Sequence, residues 1–371
     1  MPTCEFRTPG KFLFGVGALA SLGDEARRLG TRALLVTGRR AMAEAGVTRR
    51  CMAVLAAAGV DARLFDQVEP EPDGTTVDRC RQAVREHRAE VVIGLGGGSA
   101  MDVAKVAAGL AGEAEPTRAF HQGRKISRRG LPNIAVPSTS GTGSEMTDNG
   151  VLSDRERKVK TSIRDDSIIP AVALVDPEIT VSSTPEVTAT SGIDALVQAV
   201  ESYLSRFATP LSEAISLRAA EEMARALPAV VTHGSDMELR TRAAWGSAMA
   251  GLGLTNARLG VIHGIAHPLG VRFNVPHGLV CGVLLPAALE FNRPAAPEKY
   301  AALARLFGED PAAYARRLLE ACGLPARLTK YGLAADALDA IADEALPTRS
   351  TKANPRPVTK ADVVAMLNAI A

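Results

Sequence analysis

Five short, almost uninterrupted apolar runs fall within the first 180 residues of this 371-residue chain, and no later run reads as a buried strand. They are ALLVTG (33–38), ARLF (62–65), VVIGLG (91–96), NIAVPST (133–139) and AVALVDP (171–177), with helical patterns between them. A strand that lacks polar alternation is covered on both faces, so the runs predict a mostly parallel sheet with helices on either side. Ahead of them, FRTPGKFLFGVG (6–17) alternates and reads as a hairpin. From Thr184 onward Ala, Leu, Glu and Arg dominate, which predicts a helical half. A chain of this length exceeds the usual single core. The expectation is two domains, an α/β domain over residues 1–180 and a helical one over 181–371.

Composition removes several function classes. A formal charge of +2 creates no field that would draw the chain to nucleic acid or to a membrane surface. No apolar run approaches the roughly 20 residues that span a bilayer, and MPTCEFRTPGK lacks a signal-peptide pattern, so a cytoplasmic protein is expected. The five cysteines, Cys4, Cys51, Cys80, Cys281 and Cys322, are widely spaced with no CxxC and read as reduced thiols.

Two glycine-rich segments follow predicted strands. In GLGGGSAMDVAK (94–105), Gly96, Gly97, Gly98 and Ser99 open a helix, where free N–H groups and the positive dipole end attract a pyrophosphate. In PSTSGTGSEMT (137–147), Thr139, Ser140, Thr142 and Ser144 offer hydroxyls suited to a ribose or phosphate edge. Two such loops at strand C-termini face one crevice of an open sheet. At the end of the first of the five runs, LLVTGRR places Gly38, Arg39 and Arg40 where an acidic residue would accept the ribose 2′-OH of NAD. Arginines there suit a 2′-phosphate instead, which favours NADP(H) over NAD(H).

The second half carries a different constellation. Asp194 and Gln198 stand at i and i+4 in SGIDALVQAVESY (191–203), on one face of a helix. His263 and His267 share that spacing in GVIHGIAHPLG (260–270), and NVPHG (274–278) adds His277. Three of the six histidines in the chain thus fall within fifteen positions, which points to a metal site. The histidine pair lacks the intervening Glu that a zinc protease uses as its base, so peptide hydrolysis is disfavoured.

Taken together, GGGSAMDVAK, PSTSGTGSE, ALVDPEIT, GIDAL, GVIHGIAHPLG, PHGLV and NPRPVT (354–359) stand in the order and spacing of the iron-containing (group III) alcohol dehydrogenases. The chain resembles that family over nearly its whole length. The resemblance implies a dehydroquinate synthase-like architecture, with an α/β nicotinamide-binding domain followed by an all-α metal- and substrate-binding domain. It implies a divalent metal, Fe²⁺ or Zn²⁺, on Asp194, His263 and His277, with the fourth place falling on Gln198 where family members generally have His. An amide oxygen is a weaker donor than imidazole. The resemblance also implies His267 as proton relay or substrate contact, Asp102 at the family position after the glycine turn, and Lys160 as a cofactor-facing lysine. The implied activity is hydride transfer between nicotinamide and a small alcohol or aldehyde, in a protein that associates as a homo-oligomer. Two alternatives stand beside it. One is a maleylacetate-type or oxo-acid reductase, with Arg258 or Arg206 recognising the carboxylate. The other is a metal-dependent lyase of the related fold.

Overall fold

The computed structural model describes residues 4–154, 156–157 and 159–371. Its chain divides into two compact units, one formed by Thr8–Thr139 with Gly143–Ser183, the other by the segment up to Arg7, Ser140–Thr142 and Thr184–Ala371.

Among the described residues the first unit holds eight strands: β1 (Lys11–Phe14), β2 (Arg32–Gly38), β3 (Asp61–Val68), β4 (Val91–Gly96), β5 (Asn133–Pro137), β6 (Asn149–Asp154), β7 (Val159–Arg164) and β8 (Val172–Val175). Six form one sheet in the order β1-β8-β5-β4-β2-β3, and every pairing in it is parallel. Helices α1 (Leu22–Leu29), α2 (Ala41–Glu44), α3 (Val47–Ala57), α4 (Gly74–His87), α5 (Gly98–Gly109) and α6 (Thr117–His121) complete the unit. The reason for the continuous apolar runs is visible residue by residue. Leu34, Val36 and Val92 pack with α4 and α5, whereas Ala33, Leu35, Val91 and Ile93 pack with α1 and α3. Both faces of β2 and β4 are therefore core, and a polar residue at either parity would be buried unpaired.

The expected hairpin over 6–17 is not formed. That segment supplies the single strand β1, which lies at the sheet edge parallel to β8, with Lys11 opposite Val172 and Phe14 opposite Val175. The hairpin is elsewhere, in β6 and β7, which pair antiparallel as a separate two-stranded sheet. The parallel sheet carries one topological consequence. The chain runs from β2 outward to β3, then returns to the other side of β2 with β4 and continues to β5. The switch point falls between β2 and β4, and the crevice outside their carboxyl ends is where such sheets bind ligands.

After β8 the described residues contain no further strand. The second unit is built from α7 (Pro185–Leu204), α8 (Pro210–Thr232), α9 (Met237–Ala257), α10 (Val261–Phe273), α11 (His277–Asn292), α12 (Pro297–Phe307), α13 (Pro311–Ala321), α14 (Ala335–Ala345) and α15 (Lys360–Ile370). The first two start on the same signal, a threonine cap followed by proline at the first helical position: Thr184 accepts from the Val187 amide, and Thr209 with Ser212 closes a capping box. Their shared core includes Ile193, Leu196, Val197, Val200, Leu227, Ile262, Ile265, Leu279 and Val283. Among the described residues no helix is long and apolar enough to cross a membrane.

Candidate functional site

In the helical unit, α7 presents Asp194, Gln198 and Glu201 on one face, at i, i+4 and i+7. All three are buried. Helix α11 lies directly against this face, because a Cβ on Gly278 would come within 1.9 Å of the Thr190 carbonyl oxygen. Only glycine permits that approach. It sets His277 and, one turn on, Cys281 beside Asp194, while α10 brings His263 from a third direction. One ligand atom each of Asp194, His263, His277 and Cys281 lies within 4.8 Å of all the others. Asp194 Oδ1 is 3.3 Å from His263 Nε2 and 3.7 Å from His277 Nε2. Cys281 Sγ is 3.7 Å from His277 Nε2 and 3.9 Å from His263 Nε2.

Glu201 holds this arrangement from behind. Its carboxylate accepts the His263 Nδ1–H at 2.6 Å and also the backbone N–H groups of Ile262 at 2.7 Å and His263 at 3.4 Å. With Nδ1 engaged by this carboxylate, Nε2 is the nitrogen that points at the cluster. On the far side, the Gln198 amide donates from Nε2 to Asp194 Oδ2 at 2.9 Å. Gln198 Oε1 is buried with no hydrogen-bond partner among the described residues. The electrostatics of the pocket call for a cation. Burial disfavours a charged His263 ring, yet Cys281, Asp194 and Glu201 outweigh burial and raise its proton affinity well above that of ordinary imidazole. Burial pushes the Cys281 thiol up to about 12. One carboxylate, two imidazoles and a thiol fit a divalent metal, since the field that favours a proton on His263 favours a metal ion more.

His267 stacks on His277, with ring centroids 5.1 Å apart and planes 17° from parallel. It thus lies one ring beyond the donors. Arg206 and Arg258, also in this unit, both place their guanidinium groups over the Phe207 ring, at 5.5 and 4.0 Å from its centroid.

In the α/β unit, a cavity of about 520 Å³ opens at the switch point. Gly38, Arg39 and Arg40 line it beyond β2, Glu69 beyond β3, Gly96, Gly97 and Ser99 beyond β4, and Ser138 beyond β5. Gly96 has φ +144°, and a Cβ there would meet Ala100 at 3.0 Å. Gly97 caps α5 without a side-chain hydrogen bond, which leaves the first N–H groups of that helix for a ligand. A Cβ at Gly97 would have Thr139 Oγ1 as its nearest neighbour at 3.8 Å, so the loop after β5 adjoins the glycine turn. This cradle fits a dinucleotide.

Other expected cofactor residues are placed differently. Asp102 is turned into the fold, where Oδ1 accepts from the Ser144 hydroxyl at 2.5 Å and Oδ2 from the Val151 amide at 2.9 Å. Ser144 is thereby committed inward as well. Lys160 pairs with Glu71 at 2.5 Å. Ser140 and Thr142 group with the helical unit, where a Cβ on Gly141 would lie 2.6 Å from that of Ser191. Sequence reasoning missed Glu201 and Cys281. The signals were present as spacing: Glu201 at i+7 from Asp194, and Cys281 at i+4 from His277.

Residues 9–177 match the family model described as iron-containing alcohol dehydrogenase, and residues 188–371 match that of the C-terminal part of the Fe-containing alcohol dehydrogenase family. Long-chain-alcohol dehydrogenase 1 of Geobacillus thermodenitrificans (strain NG80-2) is 35% identical over 96% of this chain and 93% of its own length. The crystal structure of a 1,3-propanediol oxidoreductase superposes with a TM-score of 0.95 at 31% identity, covering 100% of both chains. That of sulfoacetaldehyde reductase from Bifidobacterium kashiwanohense, in complex with NAD⁺, superposes at 0.93 with 29% identity, covering 100% of this chain and 99% of the other.

Proposed function

This chain belongs to the iron-containing alcohol dehydrogenase family, and on that footing we propose that it is a metal-dependent oxidoreductase exchanging hydride between NADP(H) and a small alcohol or aldehyde. Asp194, His263 and His277 hold the divalent metal, and the cavity between Gly38 and Ser138 holds the dinucleotide. When bound, the metal supplies Lewis-acid polarisation of the substrate oxygen and the nicotinamide supplies or accepts the hydride.

The chain itself performs the rest. The free amides at the start of α5 take the pyrophosphate, and Arg39 and Arg40 at the rim of the cavity take the 2′-phosphate. Glu201 fixes the tautomer of His263 and so the direction of its lone pair. Gln198 donates to one oxygen of Asp194 and leaves the other for the cluster. His267, stacked beside His277, carries the substrate hydroxyl proton to or from solvent, a task suited to an imidazole because it exchanges protons near neutral pH.

The observation that carries the proposal is the approach of the Asp194 carboxylate to two imidazoles, one of them held by a second carboxylate. The experiment is exhaustive chelation followed by readdition of Fe²⁺ or Zn²⁺, with nicotinamide absorbance followed over a panel of short alcohols, aldehydes and oxo-acids. Activity should vanish on chelation and return with metal. Full activity in metal-free protein overturns the reading, and product formation with no net nicotinamide turnover assigns the chain to the lyases instead.

A further inference from the structure

We propose that the sulfur of Cys281, and not the amide of Gln198, is the fourth donor of the metal centre, and that it makes the site select a zinc-type cation over Fe²⁺. The inference rests on the metal-dependent reading above and adds to it the identity of a ligand and, through it, of the metal.

The orientation of Gln198 comes first. Its Nε2 lies 2.9 Å from Asp194 Oδ2, and the reversed amide would set two acceptor oxygens against each other. The amide nitrogen is therefore the group that faces the carboxylate. Gln198 acts as a clasp that occupies Oδ2 and turns Oδ1 to the imidazoles, at 3.3 and 3.7 Å. Cys281, fully buried, joins the same cluster, with Sγ 3.7 and 3.9 Å from the two imidazole Nε2 atoms.

Those separations can be compared with a coordination polyhedron. In a tetrahedron with nitrogen and oxygen at about 2.0–2.1 Å and sulfur at about 2.3 Å from the cation, N–O edges are about 3.3 Å and N–S edges about 3.6 Å. The two O–N edges here are 3.3 and 3.7 Å and the two N–S edges 3.7 and 3.9 Å. Each matches or exceeds the ideal by a few tenths of an ångström; at His263 the sulfur edge is the longer, 3.9 against 3.3 Å, and at His277 the two are equal at 3.7 Å. A buried cysteine ordinarily packs as a small hydrophobe. Here Sγ meets two imidazole nitrogens, and one of those rings is held by the Glu201 hydrogen bond on its opposite side. The thiol proton passes to solvent as the cation enters, as for any cysteine ligand. A thiolate is soft and anionic where an amide oxygen is hard and neutral, and a set of one sulfur, two nitrogens and one carboxylate suits zinc.

The test uses the full chain, stripped of metal and reloaded with one ion at a time. With Co²⁺, the wild type should develop sulfur-to-cobalt charge-transfer absorption in the near ultraviolet, retained in Gln198→Ala and absent in Cys281→Ser. With Zn²⁺, X-ray absorption should show one sulfur neighbour at about 2.3 Å. Cys281→Ser should lower zinc affinity by more than the roughly 10–100-fold that loss of an outer partner costs, and should narrow the preference for zinc when Zn²⁺ and Fe²⁺ are offered together without oxygen. The X-ray measurement needs no variant, so it decides even where Cys281→Ser fails to fold. Metal bound without sulfur overturns this inference and leaves the metal-dependent reading standing. Activity in protein shown by elemental analysis to hold no metal overturns that reading itself.

Discussion

Gly38 ends β2 with open space beside it: the nearest atom to a Cβ placed there is the Val68 carbonyl oxygen, at 3.7 Å. An aspartate fits that space, would accept a ribose 2′-OH and would repel a 2′-phosphate. Wild type should prefer NADPH, and Gly38→Asp should shift the ratio of kcat/KM for NADPH and NADH by about tenfold or more towards NADH, some 1.4 kcal/mol in transition-state terms. A tenfold preference of the wild type for NADH would remove the argument at its base. Residues such as Gly38, Arg39 and Arg40 are legible from sequence because their meaning depends on a neighbouring strand end. Cys281 and Glu201 are not legible in that way. Glu201 reaches its partners across 61 and 62 residues of chain, and an acidic residue in a helix ordinarily reads as solvated surface. Cys281 fails every test that looks for paired cysteines, since its companions are histidines and a carboxylate.

At the scale of elements, the start of α10 explains how a helix and the proposed metal donor His263 are positioned by one group. Gly260 caps α10 without a side chain, so its first N–H groups need partners from elsewhere. Asn354 Oδ1 accepts from Val261 at 3.3 Å, and Glu201 accepts from Ile262 and His263. Glu201→Ala should therefore act twice. It should cost on the order of 2–3 kcal/mol of unfolding free energy for the lost charged hydrogen bonds, and it should weaken metal binding by roughly 10–100-fold because His263 loses its orienting carboxylate. Urea unfolding of metal-free protein reads the first effect and competition with a chromogenic chelator the second. Unchanged metal affinity would reduce Glu201 to a helix cap. Strand direction was the least legible property of the elements. The alternation in residues 6–17 says that β1 is half covered but not that its partner, β8, lies some 160 residues on, and the true hairpin hides in the largely polar segments NGVLSD and VKTSIR.

Across the whole molecule the buried charges set how stability depends on pH. Inside the α/β unit, fully buried Lys105 donates to the Ser144 and Thr147 carbonyl oxygens and to the Thr147 hydroxyl, with Asp102, Glu145, Asp148 and Arg164 around it. Burial raises Glu145 to about 7, against an ordinary 4.5, and Lys105 only partly opposes that. The folded state thus binds more protons than the unfolded one between those values. The stabilisation is complete below about 4.5 and is lost as pH rises through about 7, a change of about 3 kcal/mol. Glu145→Gln should match wild type near pH 4 and exceed it by about that amount near pH 8 in urea unfolding. Equal differences at both pH values would show an ionised Glu145 throughout. The division into units also bears on descent. The cavity wall is encoded between Gly38 and Ser138 and the Asp194, His263, His277 and Cys281 cluster further along, so on the proposed reading cofactor choice and metal choice sit on separable stretches of gene. Recombination between homologues near codon 184 would exchange one trait and keep the other. The exception is Ser140–Thr142, a three-residue patch read from the first stretch and packed with the second. Such a chimera would inherit it from the wrong parent, and the Gly141–Ser191 contact is where that mismatch would be felt.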